Sequence, residues 1–304
     1  MSGAWPATEP IEVQVAAGNA RLAVDLRGGG LRALTVGDWE VLDGYPPGTV
    51  PAGRRGGLLL PWPNRIRDGR WSWRGRTLQL DVASPSSPTA SHGLLSWQPF
   101  AVLEQRDDAV TVGATVEARP GYPFRLAAAV DYALTPDRLT VTVRARNAGA
   151  DAAPLGVGVH PYLAVGSAAE GDIADAELSV PARTVLDTED NLPTGGRSAF
   201  DGAVGRIGDR ALNHPLTDLD RDADGWARTR LRGPAGALEL AVDRSWPWLQ
   251  VYTGDTLPEG QRRRSVAVEP MSCPPNALAD GVDVVVLEPG DVWSGTWTLA
   301  WRSA

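Results

Sequence analysis

Apolar and polar residues alternate with a period of two along much of the chain, in short runs separated by turn signals. The clearest run spans 138–146, where Leu139, Val141, Val143 and Ala145 face one way and Thr140, Thr142, Arg144 and Arg146 the other. Such alternation is the mark of a half-buried β-strand. Thr135-Pro136-Asp137 precedes it and predicts a hairpin with the run containing Tyr132, Ala133 and Leu134. Similar pairs are expected around Asp107-Asp108 and around Gly233-Pro234-Ala235-Gly236. The C-terminal run 293–301 puts Trp293, Gly295, Trp297, Leu299 and Trp301 on one face. No long segment carries a helical apolar stripe, and only residues 205–212 have room for a short helical turn. Closely spaced strands without helical crossovers predict an all-β, antiparallel architecture, a sandwich or a barrel. Pro and Gly are spread evenly rather than gathered in a linker. Residues 1–304 are therefore expected to form one domain, with 46–57 and 84–91 as its main loops.

Composition narrows the class. An apolar fraction of 43% fits a soluble protein with a substantial core. The net charge of −8 argues against nucleic-acid and anionic-membrane partners. All 29 basic residues are arginine, so a single arginine says little, and the triplet Arg262-Arg263-Arg264 reads as an exposed loop. The first nine residues lack a basic or apolar leader, and no run approaches the ~18 apolar residues of a membrane helix. The lone Cys273 excludes an internal disulfide and fits a reducing compartment, so a cytoplasmic protein is expected. No His, Cys, Asp or Glu cluster has metal-ligand spacing. Gly28-Gly29-Gly30 lacks the strand–helix context of a phosphate loop. Neither a metal nor a cofactor is expected.

Histidine titrates nearest neutrality, and there are only three. His160 ends the run Gly156-Val157-Gly158-Val159 and is followed at once by Pro161 and Tyr162. An imidazole there projects toward the mouth of a sheet. His92 precedes Gly93, which leaves room for close approach, although a loop histidine bonded to nearby backbone fits equally. His214 lies among acidic residues and reads as an exposed loop position. Glu269 emerges from Val266-Ala267-Val268 and precedes Pro270, and it reads either as a site carboxylate or as an edge carboxylate paired to an arginine. In Leu60-Pro61-Trp62-Pro63-Asn64-Arg65, two prolines restrict the backbone ahead of a dense set of hydrogen-bond donors. Asn64 and Arg65 equally fit a turn that caps itself. Trp62 and Trp97 adjoin these segments and are candidates for stacking on a sugar face.

Taken in order, Asn64-Arg65-Ile66, His92-Gly93, His160-Pro161-Tyr162 and Glu269-Pro270 resemble the aldose 1-epimerase (galactose mutarotase) family. Leu249-Gln250-Val251-Tyr252-Thr253 and Pro275-Asn276-Ala277 match two further segments of it. The resemblance implies a large antiparallel β-sandwich with a sugar cleft on one sheet. It implies Glu269 as general base, His160 as general acid, and Asn64, Arg65, His92, Tyr162 and Gln250 as sugar contacts. Asn213 stands where the family carries an aspartate, so one charge is missing from the sugar-holding set. The implied reaction interconverts the α and β anomers of a free monosaccharide by ring opening and reclosure, with no cofactor. Two alternatives remain at this stage: a hexose-6-phosphate 1-epimerase using Arg262–Arg264 as a phosphate clamp, and a sugar-binding protein without catalysis. A glycoside hydrolase needs two carboxylates flanking the bond, and only one is well placed. The preferred sugar and the oligomeric state are not encoded in any motif.

Overall fold

In the computed structural model, residues 11–82, 88–166 and 172–304 are described. The N-terminal segment through Glu9 and residues 84–87 of the expected loop 84–91 lie outside them, while Thr89–Ser91 of that loop forms a short strand instead, because it pairs with Arg65–Arg67. The architecture is an antiparallel β-sandwich, as expected. One sheet has nine strands. Leu126–Thr135, Arg138–Asn147, Val292–Ser303 and Gly236–Val242 form its centre. The predicted hairpins all form: Thr135 pairs with Arg138, Gly233 with Gly236, and Gln105 with Val110. Inward-facing Val141, Val143, Trp297 and Leu299 meet Leu216, Leu249, Val251, Val266 and Val268 of the second sheet in one contiguous core. Closing apolar area between two sheets is the main driving force for such a fold.

The second sheet has eight strands. Its centre runs Asn213–Leu219, Trp248–Tyr252, Val266–Met271 and Gly158–Val159. Every residue of Val266–Met271 is buried, although only alternate ones reach the inter-sheet core. Ala267 packs on the other face with Tyr162 and Leu257, and Met271 there with Leu186 and Trp248. This sheet is thus covered on both faces, which explains why Val266-Ala267-Val268 reads as a continuous apolar run rather than an alternation. Its outer covering includes the loop 46–57, and the turn between its own edge strands Ala182–Glu189 and Leu192–Ala199 brings Asn191 to the same face.

Helix is limited, among the described residues, to Ala277–Asp280 and the 3₁₀ turns Ala52–Arg54 and Ile173–Asp175. The helical turn expected over 205–212 does not form, because Gly205–Arg206 joins the edge of the nine-stranded sheet through Glu177 and Leu178. No helix of the described residues is long and apolar enough to cross a membrane.

Trp297 is fully buried at the sandwich centre, facing Val141 on one side and Val242 on the other. Trp297→Ala is expected to cost about 3–5 kcal/mol of unfolding free energy, read from urea denaturation. A loss below about 1 kcal/mol would contradict the central packing assigned to this residue.

Candidate active site

The two-sided burial of the second sheet sets the floor of a cleft of roughly 620 Å³, within the range of small-molecule sites. Leu249 and Val251 point into the core, so Gln250 and Tyr252 point outward. By the same alternation Glu269 points outward between Val268 and Pro270, directly opposite Gln250 in the ladder. Asn213 pairs with Tyr252 and shares this face. A residue spacing of two therefore delivers three polar side chains to one floor.

The wall is built from irregular backbone. Arg65–Arg67 pairs with Thr89–Ser91, and the Asn64 carbonyl accepts the His92 amide at 2.7 Å. Asn64 and His92 both sit in the left-handed region, with φ 52° and 60°, a conformation that asparagine and histidine tolerate better than most residues. Gly93 follows at φ 72°, and a Cβ there would lie 2.2 Å from the Leu60 carbonyl oxygen. Only glycine lets the chain pass Leu60 this closely.

His160 meets Glu269 directly, Nε2 to Oε1 at 3.3 Å. Its ring stacks on Tyr162 with centroids 5.0 Å apart and planes 2° from parallel. The His92 ring meets it edge-on, with centroids 5.6 Å apart. Burial pushes the His160 imidazolium down to about 3, and the backbone around it offsets part of that while Arg54 and Arg65 add to it. Burial also pushes Glu269 well above the usual carboxylate range, with the positive charge of Arg65 opposing. Burial, followed by the charges of His160 and Arg65, lowers His92 as well. Desolvation penalises whichever form is charged, so the pair favours one proton held on the carboxyl and a neutral imidazole. A general acid at His160, which the resemblance implies, calls for an imidazolium, and that is the form burial disfavours. Glu269 Oε2, His160 Nδ1 and His92 Nδ1 are buried without a hydrogen-bond partner among the described residues. Three such atoms on one cleft floor are groups left for a ligand.

Beside the pair runs a directed chain of amides. Arg65 donates to Asn64 Oδ1 at 3.4 Å, and Asn64 Nδ2 to Gln250 Oε1 at 3.3 Å. Gln250 Nε2 donates to Asn213 Oδ1, and Asn213 Nδ2 to Asn191 Oδ1, both at 2.6 Å. The charged donor at one end fixes the orientation of every amide after it.

All eight residues singled out from the sequence come to this cleft: Glu269, His160, Asn64, Arg65, His92, Tyr162, Asn213 and Gln250. Tyr162 differs from a plain ligand contact, because its hydroxyl already donates to the Gly53 carbonyl at 2.9 Å. Trp97 lines the cleft and is largely exposed, whereas Trp62 is buried in the core and takes no part. His214 is not in an exposed loop. It lies in the strand Asn213–Leu219, half-buried beside Phe200, because the acidic residues nearby face outward. Of the arginine triplet only Arg262 is exposed. Arg263 pairs with Asp255 at 2.8 Å, Arg264 lies 3.6 Å from Asp43, and none of the three lines the cleft. Sequence reasoning missed Asn191, Arg54, Arg55 and Asp43. Buried Asp43 receives Arg55 Nη2 at 3.0 Å and Ser265 Oγ at 2.8 Å, and Arg55 lies 5.0 Å above the Tyr162 ring. That stack holds the His160 ring from behind. Its signal, one aspartate and one arginine in turn-rich segments, is lost among 29 arginines. Among the described residues no group of three or more His, Cys, Asp or Glu is placed to hold a metal.

A family model described as Aldose 1-epimerase matches residues 12–300. The uncharacterized protein YihR of Escherichia coli K12 is 33% identical over 285 residues, covering 91% of this chain and 89% of its own. Two solved structures share the fold at low identity. The GalM/aldose epimerase homologue of C. elegans superposes with a TM-score of 0.81 at 18% identity, over 96% of this chain and 99% of that one. Galactose 1-epimerase of Lactobacillus acidophilus gives 0.77 at 18% identity, over 96% and 94%.

Gly93→Ala is expected to lower stability by about 2 kcal/mol or more, through strain at a left-handed residue and a clash with Leu60. It is also expected to weaken any ligand that reaches His92. Differential scanning fluorimetry on the variant checks the first effect, and an unchanged melting temperature would show that the wall does not need glycine here.

Proposed function

The chain belongs to the aldose 1-epimerase family, and we propose that it interconverts the α and β anomers of a free aldose. The observation that carries this reading is the buried His160–Glu269 contact, with an unpartnered oxygen on one side and an unpartnered nitrogen on the other. A protein that only binds sugar has no need of a desolvated acid–base pair, so catalysis is favoured over binding alone. The solved neighbour named galactose 1-epimerase supports a hexose-sized substrate. Both sheets act as one domain, and the single buried cysteine supports a cytoplasmic setting.

In the reaction, Glu269 removes the proton from the anomeric hydroxyl while His160 delivers a proton to the ring oxygen. The C1–O5 bond breaks, the electron pair passes to O5, and a carbonyl forms between C1 and O1. Rotation about C1–C2 presents the other carbonyl face. The reverse transfers then close the ring: O5 attacks, His160 recovers its proton, and Glu269 returns the other to O1. Each ring opening converts the ionised pair into the neutral one, so burial drives both proton transfers in that direction. The Arg65 charge keeps the carboxylate accessible for the next cycle. Asn64, Arg65, Gln250 and Asn213 hold the sugar hydroxyls, and His92 supports the charge developing at the ring oxygen. Tyr162, backed by Arg55, keeps the His160 ring in plane.

Glu269→Gln keeps the shape and loses the proton acceptor. It is expected to reduce the mutarotation rate by roughly 10²-fold or more with little change in melting temperature. Polarimetry on fresh α-glucose and α-galactose reads the rate, and wild-type activity in the variant would remove Glu269 from the mechanism.

The pH profile follows from the directions of the two shifts. The working pair holds one proton. On the acid side a second proton must go onto His160, whose value lies at about 3. On the alkaline side the one proton is lost from Glu269, whose value is raised. Both limbs move outward, so kcat/KM is expected to stay flat between about pH 5 and 7, without an inflection near the ordinary histidine value of ~6.5. An inflection there that disappears in His160→Asn would show that His160 titrates as an exposed imidazole and would overturn this assignment.

A further inference from the structure

Four arginines line the cleft, and three of them have a visible counterweight. Arg27 pairs with Asp25 at 3.2 Å and Arg55 with Asp43 at 3.0 Å. Arg65 feels the charge of Glu269 and donates to Asn64. Arg54 is different. Among the described residues it forms no ion pair and no side-chain hydrogen bond, yet its Nη1 is buried. Its backbone is left-handed at φ 57°, directly after Gly53 at φ 63°. An arginine in that region is strained, and such strain persists where the surroundings impose it. On the floor, Asn213 ends in an uncharged amide and passes a hydrogen bond to Asn191. Glu269 is the one carboxylate among the residues that line the cleft. The lining of the cleft of this acidic protein therefore carries more cations than anions.

We infer that Arg54 recognises an anionic group of the substrate, and that the preferred sugar is an aldopyranose with a singly charged oxoacid group on C6. The position follows from the fold, and it rests on the acid–base reading above. The loop carrying Arg54 is fastened to the His160 segment: Gly56 N donates to His160 O at 2.9 Å, His160 N to Gly57 O at 3.0 Å, and Tyr162 to Gly53 O. His160 serves the ring oxygen. C5 is bonded to that oxygen and carries C6, so the C6 substituent leaves the ring on the side of this loop. One unpartnered guanidinium balances one negative charge through paired N–H···O bonds. A phosphate dianion would bring a second charge that this one guanidinium leaves unbalanced.

The test compares sugars that differ only at C6: glucose with glucuronate, galactose with galacturonate, and glucose 6-phosphate as the doubly charged case. The full chain is assayed for mutarotation with each. We expect kcat/KM for at least one uronate to exceed that of its neutral partner by about tenfold or more. In Arg54→Gln that preference should collapse through KM, and Arg54→Lys should keep part of it. Raising the salt from 50 to 500 mM should erode the preference in the wild type alone. Equal use of charged and neutral sugars, or an equal fall for both in Arg54→Gln, overturns the inference while leaving the epimerase reading intact. Preference for glucose 6-phosphate overturns the single-charge assignment. Absence of turnover with every sugar overturns the epimerase reading itself.

Discussion

The contact between His160 Nε2 and Glu269 Oε1, 3.3 Å long and removed from water, is the constraint from which the other features of the cleft follow. Water would let both groups ionise independently and titrate at their ordinary values. Inside the protein each charge is costly, so burial lowers the His160 imidazolium and raises the Glu269 carboxyl. Holding the pair requires a sheet covered on both faces, so that a glutamate can project away from the main core and still be buried. The strand Val266–Met271 meets this need, because its inward valines anchor it in the sandwich while Glu269 faces the loops.

The rest of the site keeps the pair from collapsing into a mere structural contact. On one side Asp43 holds Arg55, Arg55 covers Tyr162, and Tyr162 stacks on His160. On the other, the amide chain from Arg65 to Asn191 fixes which atoms of Asn64, Gln250 and Asn213 remain for a ligand. These two arrangements differ in kind. The first sets orientation through packing and a buried ion pair, and breaking it by removing one partner leaves the other charge unpaired. The second sets hydrogen-bond polarity along the floor through a run of uncharged amides.

Much of this was legible in the sequence. Period-two runs such as Leu139 to Ala145 predicted the nine-stranded sheet and its hairpins, because one face is core and the alternation survives. The eight candidate positions were legible through their ordered resemblance to a family, and five of them, Asn64, His92, His160, Tyr162 and Glu269, adjoin a proline or glycine. Two kinds of feature were not legible. Long-range pairings such as Asp43 with Arg55 and Asn191 with Asn213 join segments with no local signature, and an all-arginine composition hides each cation. Burial was the other. Placing Trp62 in the core, His214 in a strand, and the His160–Glu269 pair out of water needed the fold. The short turn expected over 205–212 failed for a related reason, because an edge strand offered those residues backbone partners that a local reading cannot see.

The central claim is that the pair opens the sugar ring at C1–O5 and leaves the C1–O1 bond intact. Anomer exchange of a 1-¹³C-labelled aldose in ¹⁸O-enriched water, followed by the isotope shift of the C1 resonance, reads both at once. The account predicts enzyme-accelerated exchange between α and β with O1 retained. Entry of ¹⁸O at C1 as fast as the anomers interchange, or no acceleration by the protein, would contradict it.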